Sequence, residues 1–273
     1  MKLTRILTPM AIAVAAAVSA EPVLAGPSGY AAPIPSAPPA VYEAGTVMLR
    51  IGASYVDLDD DSGKWRYDRD LQPFFDGLRY DLDGETTWNF SVGFMPIDHM
   101  SVELGYIGKA EHDLDLTGLD ATFVQDFGVS KIRAGSIDRR SATLMFNWFP
   151  VCKESWVQPY VGIGAHYTDY DSVRFRTAAN DYLAEVAGAI GPAKLYLEDD
   201  WGWAGQIGID IMLGRESNWL VNAAVQYLDS DVQTDLHYQA PNFYFSPTTV
   251  INAARTDIEL DSWVYNLGIG YRF

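Results

Sequence analysis

Trp263-Val-Tyr-Asn-Leu-Gly-Ile-Gly-Tyr-Arg-Phe273 alternates large and small side chains from end to end. A strand has a side-chain period of two, so Trp263, Tyr265, Leu267, Ile269, Tyr271 and Phe273 share one face. Val264, Asn266, Gly268, Gly270 and Arg272 share the other. A soluble sandwich turns its apolar face to a core and a charged face to water. Here the non-apolar face is glycine and amide, as expected of a strand that lines a narrow interior and turns its aromatic face to lipid. A strand of this kind ending on an aromatic residue points to a bacterial outer-membrane barrel, with Phe273 in the strand that the barrel-assembly machinery would engage.

The opposite end agrees with that compartment. Lys2 and Arg5 precede an apolar run from Ile6 to Val18, and small-residue sites follow at Val18-Ser19-Ala20 and Val23-Leu24-Ala25. This is the pattern of a secretory signal over residues 1–25, with cleavage after Ala20 also compatible. The run is too short and alanine-rich for a spanning helix. Residues 26–43 are rich in Pro, Ala and Ser without apolar periodicity and read as a flexible periplasmic lead-in. The barrel then occupies residues 44–273.

Composition excludes several classes. No later stretch has eighteen consecutive apolar residues, which removes the helical membrane proteins. Aromatics make up 13% of the chain, with 8 Trp and 16 Tyr, enough for interfacial girdles. The formal charge is −17, which argues against nucleic acid or anionic lipid as a direct partner. The single cysteine, Cys152, cannot form an internal disulfide and sits in a predicted turn, without a catalytic role.

Alternation predicts an all-β fold, an eight-stranded antiparallel transmembrane barrel with long extracellular loops and short periplasmic turns. The strands read as Thr46 to Asp57, Thr86 to Met95, Met100 to Ala110, Arg139 to Phe149, Val157 to Tyr170, Asp199 to Leu213, Trp219 to Asp229 and the terminal strand. Pro96 to His99, Pro150 to Ser155 and Gly214 to Asn218 are tight turns. Leu58 to Glu85, Glu111 to Asp138, Asp171 to Glu198 and Ser230 to Thr256 are long loops of a kind uncommon in compact soluble domains. Within them, Asp181 to Ile190 carries Leu183, Val186, Ala187 and Ile190 at helical spacing. A soluble eight-stranded barrel would need an apolar interior and polar exterior, the reverse of most of these strands.

Inward positions sort by height because strand direction alternates. Arg50, Glu103, Asp210 and Arg272 fall in the periplasmic third, where two arginines and two carboxylates should pair as a polar plug. Val56, Leu58, Ile107, Leu228, Ile258 and Leu260 lie near the external strand ends and would line an apolar upper lumen fit for a small hydrophobic molecule. Catalysis finds little support. His99, His112, His166 and His237 form no metal cluster, and neither a metal nor a cofactor is expected. His166 beside a Ser and an acid is the one arrangement open to a lipid-modifying hydrolase, yet no motif marks a nucleophile. Asp57, Asp59, Asp60 and Asp61 read as a solvated acidic loop, or as a cation site at the lipopolysaccharide surface.

Several stretches carry a family likeness. Gln158-Pro-Tyr-Val-Gly-Ile-Gly-Ala-His-Tyr-Thr168 and Asp200-Trp-Gly-Trp-Ala-Gly-Gln-Ile-Gly-Ile-Asp210 resemble the fifth and sixth strands of the OmpW family of small outer-membrane proteins. Asn218 to Asn222 with Tyr227 to Asp229, Leu260 to Trp263 with Gly270 to Phe273, and Ala44 to Ser54 are similar to its seventh, closing and opening strands. The likeness fades in the first two long loops. It implies a narrow channel in the outer membrane, amid lipid and lipopolysaccharide. Small hydrophobic solutes would enter an apolar cavity and leave sideways through the wall. A surface protein whose barrel only anchors its acidic loops is the alternative.

Overall fold

In the computed structural model, described over residues 40–62, 66–67, 79–171, 173–214, 217–242 and 246–273, strands dominate. The signal segment and most of the lead-in lie outside these residues. The elements in chain order are β1 (Val47–Ser62), β2 (Arg66–Tyr67), β3 (Arg79–Leu82), β4 (Glu85–Ile97), β5 (Met100–Thr117), α1 (Ala121–Phe127), β6 (Lys131–Trp148), β7 (Val157–Tyr170), β8 (Val173–Arg174), α2 (Thr177–Ala187), β9 (Lys194–Leu197), β10 (Asp200–Met212), β11 (Trp219–Leu228), β12 (Asp231–Asn242) and β13 (Ser246–Arg272).

Eight strands close a barrel in the order β1-β4-β5-β6-β7-β10-β11-β13, each antiparallel to its neighbours. Closure is the pairing of β1 with β13, from Met48↔Arg272 to Ser62↔Ile258. At this seam Gly52 opposes Gly268, and a Cβ on Gly52 would strike the backbone of Leu267 and Gly268. The small inward residues of the terminal strand are therefore needed for the two strands to meet.

The outer face carries an apolar belt between two aromatic rings. Ile163, Leu267 and Ile207 are 65%, 63% and 68% exposed, a degree that only a lipid surface explains when so many such residues adjoin. Toward the long connections lie Trp88–Tyr106, Tyr167–Trp201, Trp203–Tyr227 and Tyr227–Trp263, with ring centroids 4.8–5.5 Å apart. Toward the tight turns lie Trp219–Tyr271 and Tyr271–Phe273 at 5.1 and 4.8 Å.

The long connections are more regular than their polarity suggests. β5 and β6 stay paired up to Thr117↔Lys131, well past the upper aromatic ring. β12 extends the line of β11 and pairs with the first half of β13. The expected loops Glu111 to Asp138 and Ser230 to Thr256 are therefore largely tall hairpins. Alternation persists there with a different outer partner. His112, Leu114 and Leu116 are buried while Glu111, Asp113 and Asp115 face out. Val232, Thr234, Leu236 and Tyr238 are buried on β12. Above the membrane the outside is water, so the outer set changes from aliphatic to charged while the inner set stays apolar.

α2 starts earlier than its periodicity implied, at Thr177, and ends at Gly188 in the left-handed region. Its Tyr182 and Leu183 are buried in the same apolar cluster as the hairpin tops, with Leu116, Ile132 and Leu195.

Candidate functional site

The lumen divides into layers, described from the tight-turn end upward. The lowest is an apolar floor of Met48, Met95, Phe149, Met212 and Leu220, closed from below by Val41 and Tyr42. Tyr42 meets Phe149 edge-on at 5.1 Å, and Phe149 stacks against Tyr160 at 5.3 Å. The backbone N–H groups of Val41 and Tyr42 both donate to the carbonyl oxygen of Lys153, at 2.6 and 3.1 Å. The last residues of the lead-in are thus a cork rather than a flexible tail. The sequence signal was the apolar pair Val41-Tyr42 itself, closing a stretch rich in Pro, Ala and Ser.

Above the floor sits a charged lock. Arg50 Nη1 donates to Glu103 Oε2 at 2.8 Å and Nη2 to Asp210 Oδ2 at 2.6 Å. Tyr42 Oη donates to the same Asp210 oxygen at 2.6 Å, and Asn222 to the other at 2.8 Å. Asn147 donates to Glu103 Oε2 at 2.8 Å, Gln206 to Asn147 Oδ1, and Gln226 to Gln206 Oε1 at 3.1 Å. One cation holds two carboxylates from β5 and β10, and neutral amides fill the remaining acceptor positions.

Arg272 stands apart from this lock, which corrects the expected pairing of two arginines with two carboxylates. It is half-buried, and Nη1 donates to the carbonyls of Ala40 and Val41 at 3.2 and 2.6 Å. Arg50 already serves both acids, and Arg272 lies too near the rim to reach them, so it clamps the cork instead. A small cavity remains above the lock, beside Ser91, Gly105, Thr143 and Ile107. It has room for a few waters.

Higher still, Val56, Leu58, Ile107, Leu228 and Leu260 are all buried in one apolar cluster, continuous with the hairpin tops and α2. The Ile258 side chain lies outside the described residues. The side chains of Asp59, Asp60 and Asp61 do as well, and Asp57 is exposed. The cluster's side chains pack against each other over the upper lumen.

Two further features were not read from the sequence. A second arginine, Arg139, crosses the lumen at the base of the apolar cluster, reaching from β6 to Ser262 on the opposite wall. Strict alternation back from Ala142 would have turned it inward, but it stood at a predicted strand end. The other feature is a broken ladder. Pairing of β4 with β5 ends at Asn89↔Ile107, and pairing resumes only on β3 at Leu82↔Leu114. On its other side β5 slips register against β6 between Ile107 and Ala110. In the gap, the Thr87 hydroxyl donates to the Lys109 carbonyl at 2.8 Å. The Trp88 indole covers Gly108 so closely that a Cβ there would strike it.

His166 is buried with both ring nitrogens engaged, Nδ1 with Thr168 Oγ1 at 3.1 Å and Nε2 with the Asp229 carbonyl at 2.8 Å. Among the described residues neither ring nitrogen meets a serine. Among the described residues no group of His, Cys, Asp and Glu is arranged to hold a metal ion.

The closed eight-strand order, the paired aromatic rings and the lock on Arg50 describe a small lipid-embedded barrel with a sealed base. The model of the OmpW family matches residues 43–273, the whole barrel. The chain belongs to the OmpW family. Among curated relatives, outer membrane protein W of Salmonella typhimurium is 27% identical over 194 residues, 71% of this chain and 76% of the relative. That of Vibrio cholerae is 25% identical over 242 residues, 89% of this chain and 95% of the relative. The crystal structure of the outer membrane protein OprG from Pseudomonas aeruginosa matches with a TM-score of 0.66 at 27% identity, covering 85% of this chain and 97% of that one. This OmpW-family barrel is an outer-membrane protein. Its tight turns are periplasmic, and its tall hairpins with α2 are extracellular.

Proposed function

We propose that this barrel passes small hydrophobic molecules from the cell exterior into the membrane, through the apolar upper lumen and out sideways through the wall. The observation that carries this reading is the stacking of an apolar cluster on a charged lock. A greasy solute is favoured among Leu58, Leu228 and Leu260. It cannot continue downward past Arg50, Glu103 and Asp210, because separating that triad without replacement partners is very costly. The weak point at the same level is the wall at β5, where pairing lapses on both sides of Gly108. There a solute meets a covering indole instead of a continuous ladder, and the indole can swing without breaking backbone hydrogen bonds.

The test is uptake of a hydrophobic fluorophore into liposomes by the wild type, Leu228→Asp, Leu260→Asp and protein-free vesicles. A carboxylate set into the apolar cluster costs several kcal/mol to bury, so each variant should lose most of the protein-dependent uptake. Assembly should persist, since neither residue faces lipid. Equal uptake in all samples would overturn the channel reading in favour of a barrel that only anchors its extracellular hairpins.

A further inference from the structure

Two arginines cross this lumen, and they are treated oppositely. Arg50 meets two carboxylates at hydrogen-bond distance. Arg139 is equally buried, at 2% exposure, and among the described residues it pairs with none. What it has are hydroxyls and a ring. Nη1 donates to Ser262 Oγ at 2.5 Å, Nη2 to Ser141 Oγ at 3.3 Å, and the guanidinium carbon lies 5.9 Å from the Tyr170 ring centroid. These partners orient a cation but do not neutralise it. Asp200 and Asp261 act electrostatically on Tyr170, and among the described residues neither forms an ion pair with Arg139.

A buried guanidinium without a counter-charge is among the most expensive arrangements a protein interior can hold, and buried charges are as a rule paired. Its surroundings would serve an incoming anion. The Tyr170 ring lies over Arg139, and the Tyr170 hydroxyl and the neighbouring Ser230 Oγ are buried without a well-formed hydrogen bond. Both are rotatable donors. The apolar side is equally defined. Leu58 and Leu228 are the cross-strand partners of Ser262 on its two flanks, so the tip of Arg139 sits at the foot of the apolar cluster.

We infer that the upper lumen recognises amphipathic anions, an aliphatic body ended by one carboxylate, with the carboxylate on Arg139 and the body among the leucines. This rests on the proposed passage of hydrophobic solutes and narrows it to a substrate class. A bidentate carboxylate matches the planar guanidinium fork and supplies the missing charge. The chain's acidic exterior acts on the approach, where salt screens it beyond about 8 Å, and not on the desolvated contact.

The experiment titrates decanoate and decanol into the mature protein in lipid nanodiscs at about pH 8, where the free carboxylate is ionised, with empty nanodiscs subtracted. Wild type should bind decanoate about tenfold or more tighter than decanol, the worth of a charge-assisted pair. In Arg139→Met that ratio should fall to within about twofold. The methionine strands no carboxylate, so this variant should fold and keep its heat-modifiable gel shift, unlike Arg50→Met. Equal affinities in the wild type, or a preference that survives Arg139→Met, would overturn the inference and leave the hydrophobic channel standing. Binding of neither probe above the blank would bring down the channel reading too. An unfolded Arg139→Met would mean that Arg139 is a structural strut, which also overturns it.

Discussion

Three arginines in one lumen show how position decides what a charge does. Among the described residues, Arg50 is the only cation paired with Glu103 and Asp210. Arg50→Ala leaves two buried carboxylates facing each other's neighbours, and should lower stability by about 3–5 kcal/mol. Arg272 donates to carbonyls of the cork, which water at the rim can replace, so Arg272→Ala should cost no more than about 1.5 kcal/mol. Urea refolding midpoints in one detergent distinguish the two. Equal losses would mean that the clamp on Ala40 and Val41 matters as much as the lock. Arg50, Glu103 and Asp210 could be singled out from the sequence because inward phase and height both follow from strand counting. Which arginine takes the acids could not, because that depends on reach across the lumen.

At the scale of elements, the seam and the hairpin tops obey different rules. Gly52 meets Gly268 where β1 closes on β13, and the backbone there leaves no room for a Cβ. Gly52→Val should destabilise the barrel by about 1–3 kcal/mol through forced backbone shifts. Ala53→Val, one residue along and facing lipid, should be near neutral. Comparable midpoints for the two would show that the seam relaxes freely. The hairpin tops are soluble in character, with Leu114 and Leu116 buried under a charged outer face. Leu114→Asp should therefore open the upper half alone. Trypsin would then cut at Lys131 or Arg133 while the membrane belt stays protected. A resistant variant would show that the upper ladder holds without its apolar core.

Taken whole, the molecule is a barrel that changes solvent halfway up. Below the upper aromatic ring the outside is lipid, and the inside is a polar layer resting on an apolar floor. Above that ring the outside is water and the inside apolar, and the narrow interior of eight strands is largely filled by its own side chains. Such a lumen is no aqueous pore. In planar bilayers the reconstituted protein should show conductance far below that of a water-filled porin, while remaining heat-modifiable and β-rich by circular dichroism. Large, steady, weakly selective currents would contradict the filled lumen and the Arg50 lock.

The sequence by itself determined the barrel. A period of two with an aliphatic outer face forces each strand to span lipid, and an edge inside a bilayer is so costly that eight such strands must close. It also determined which side chains face inward wherever the alternation was unbroken, from Val56 to Leu260. The hairpin tops lack the aliphatic outer face that marks a lipid-spanning strand, so the sequence predicts loops there. Outside the membrane the same period appears as apolar against charged, as in Asp113 to Leu116. Only the tertiary structure decided the contents of the lumen. The corking by Val41 and Tyr42, the lock on Arg50 rather than Arg272, the unneutralised Arg139 and the lapse in pairing at Gly108 all depend on distances between strands far apart in the chain. Periodicity says which way a side chain points, and only closure of the barrel says what it meets there.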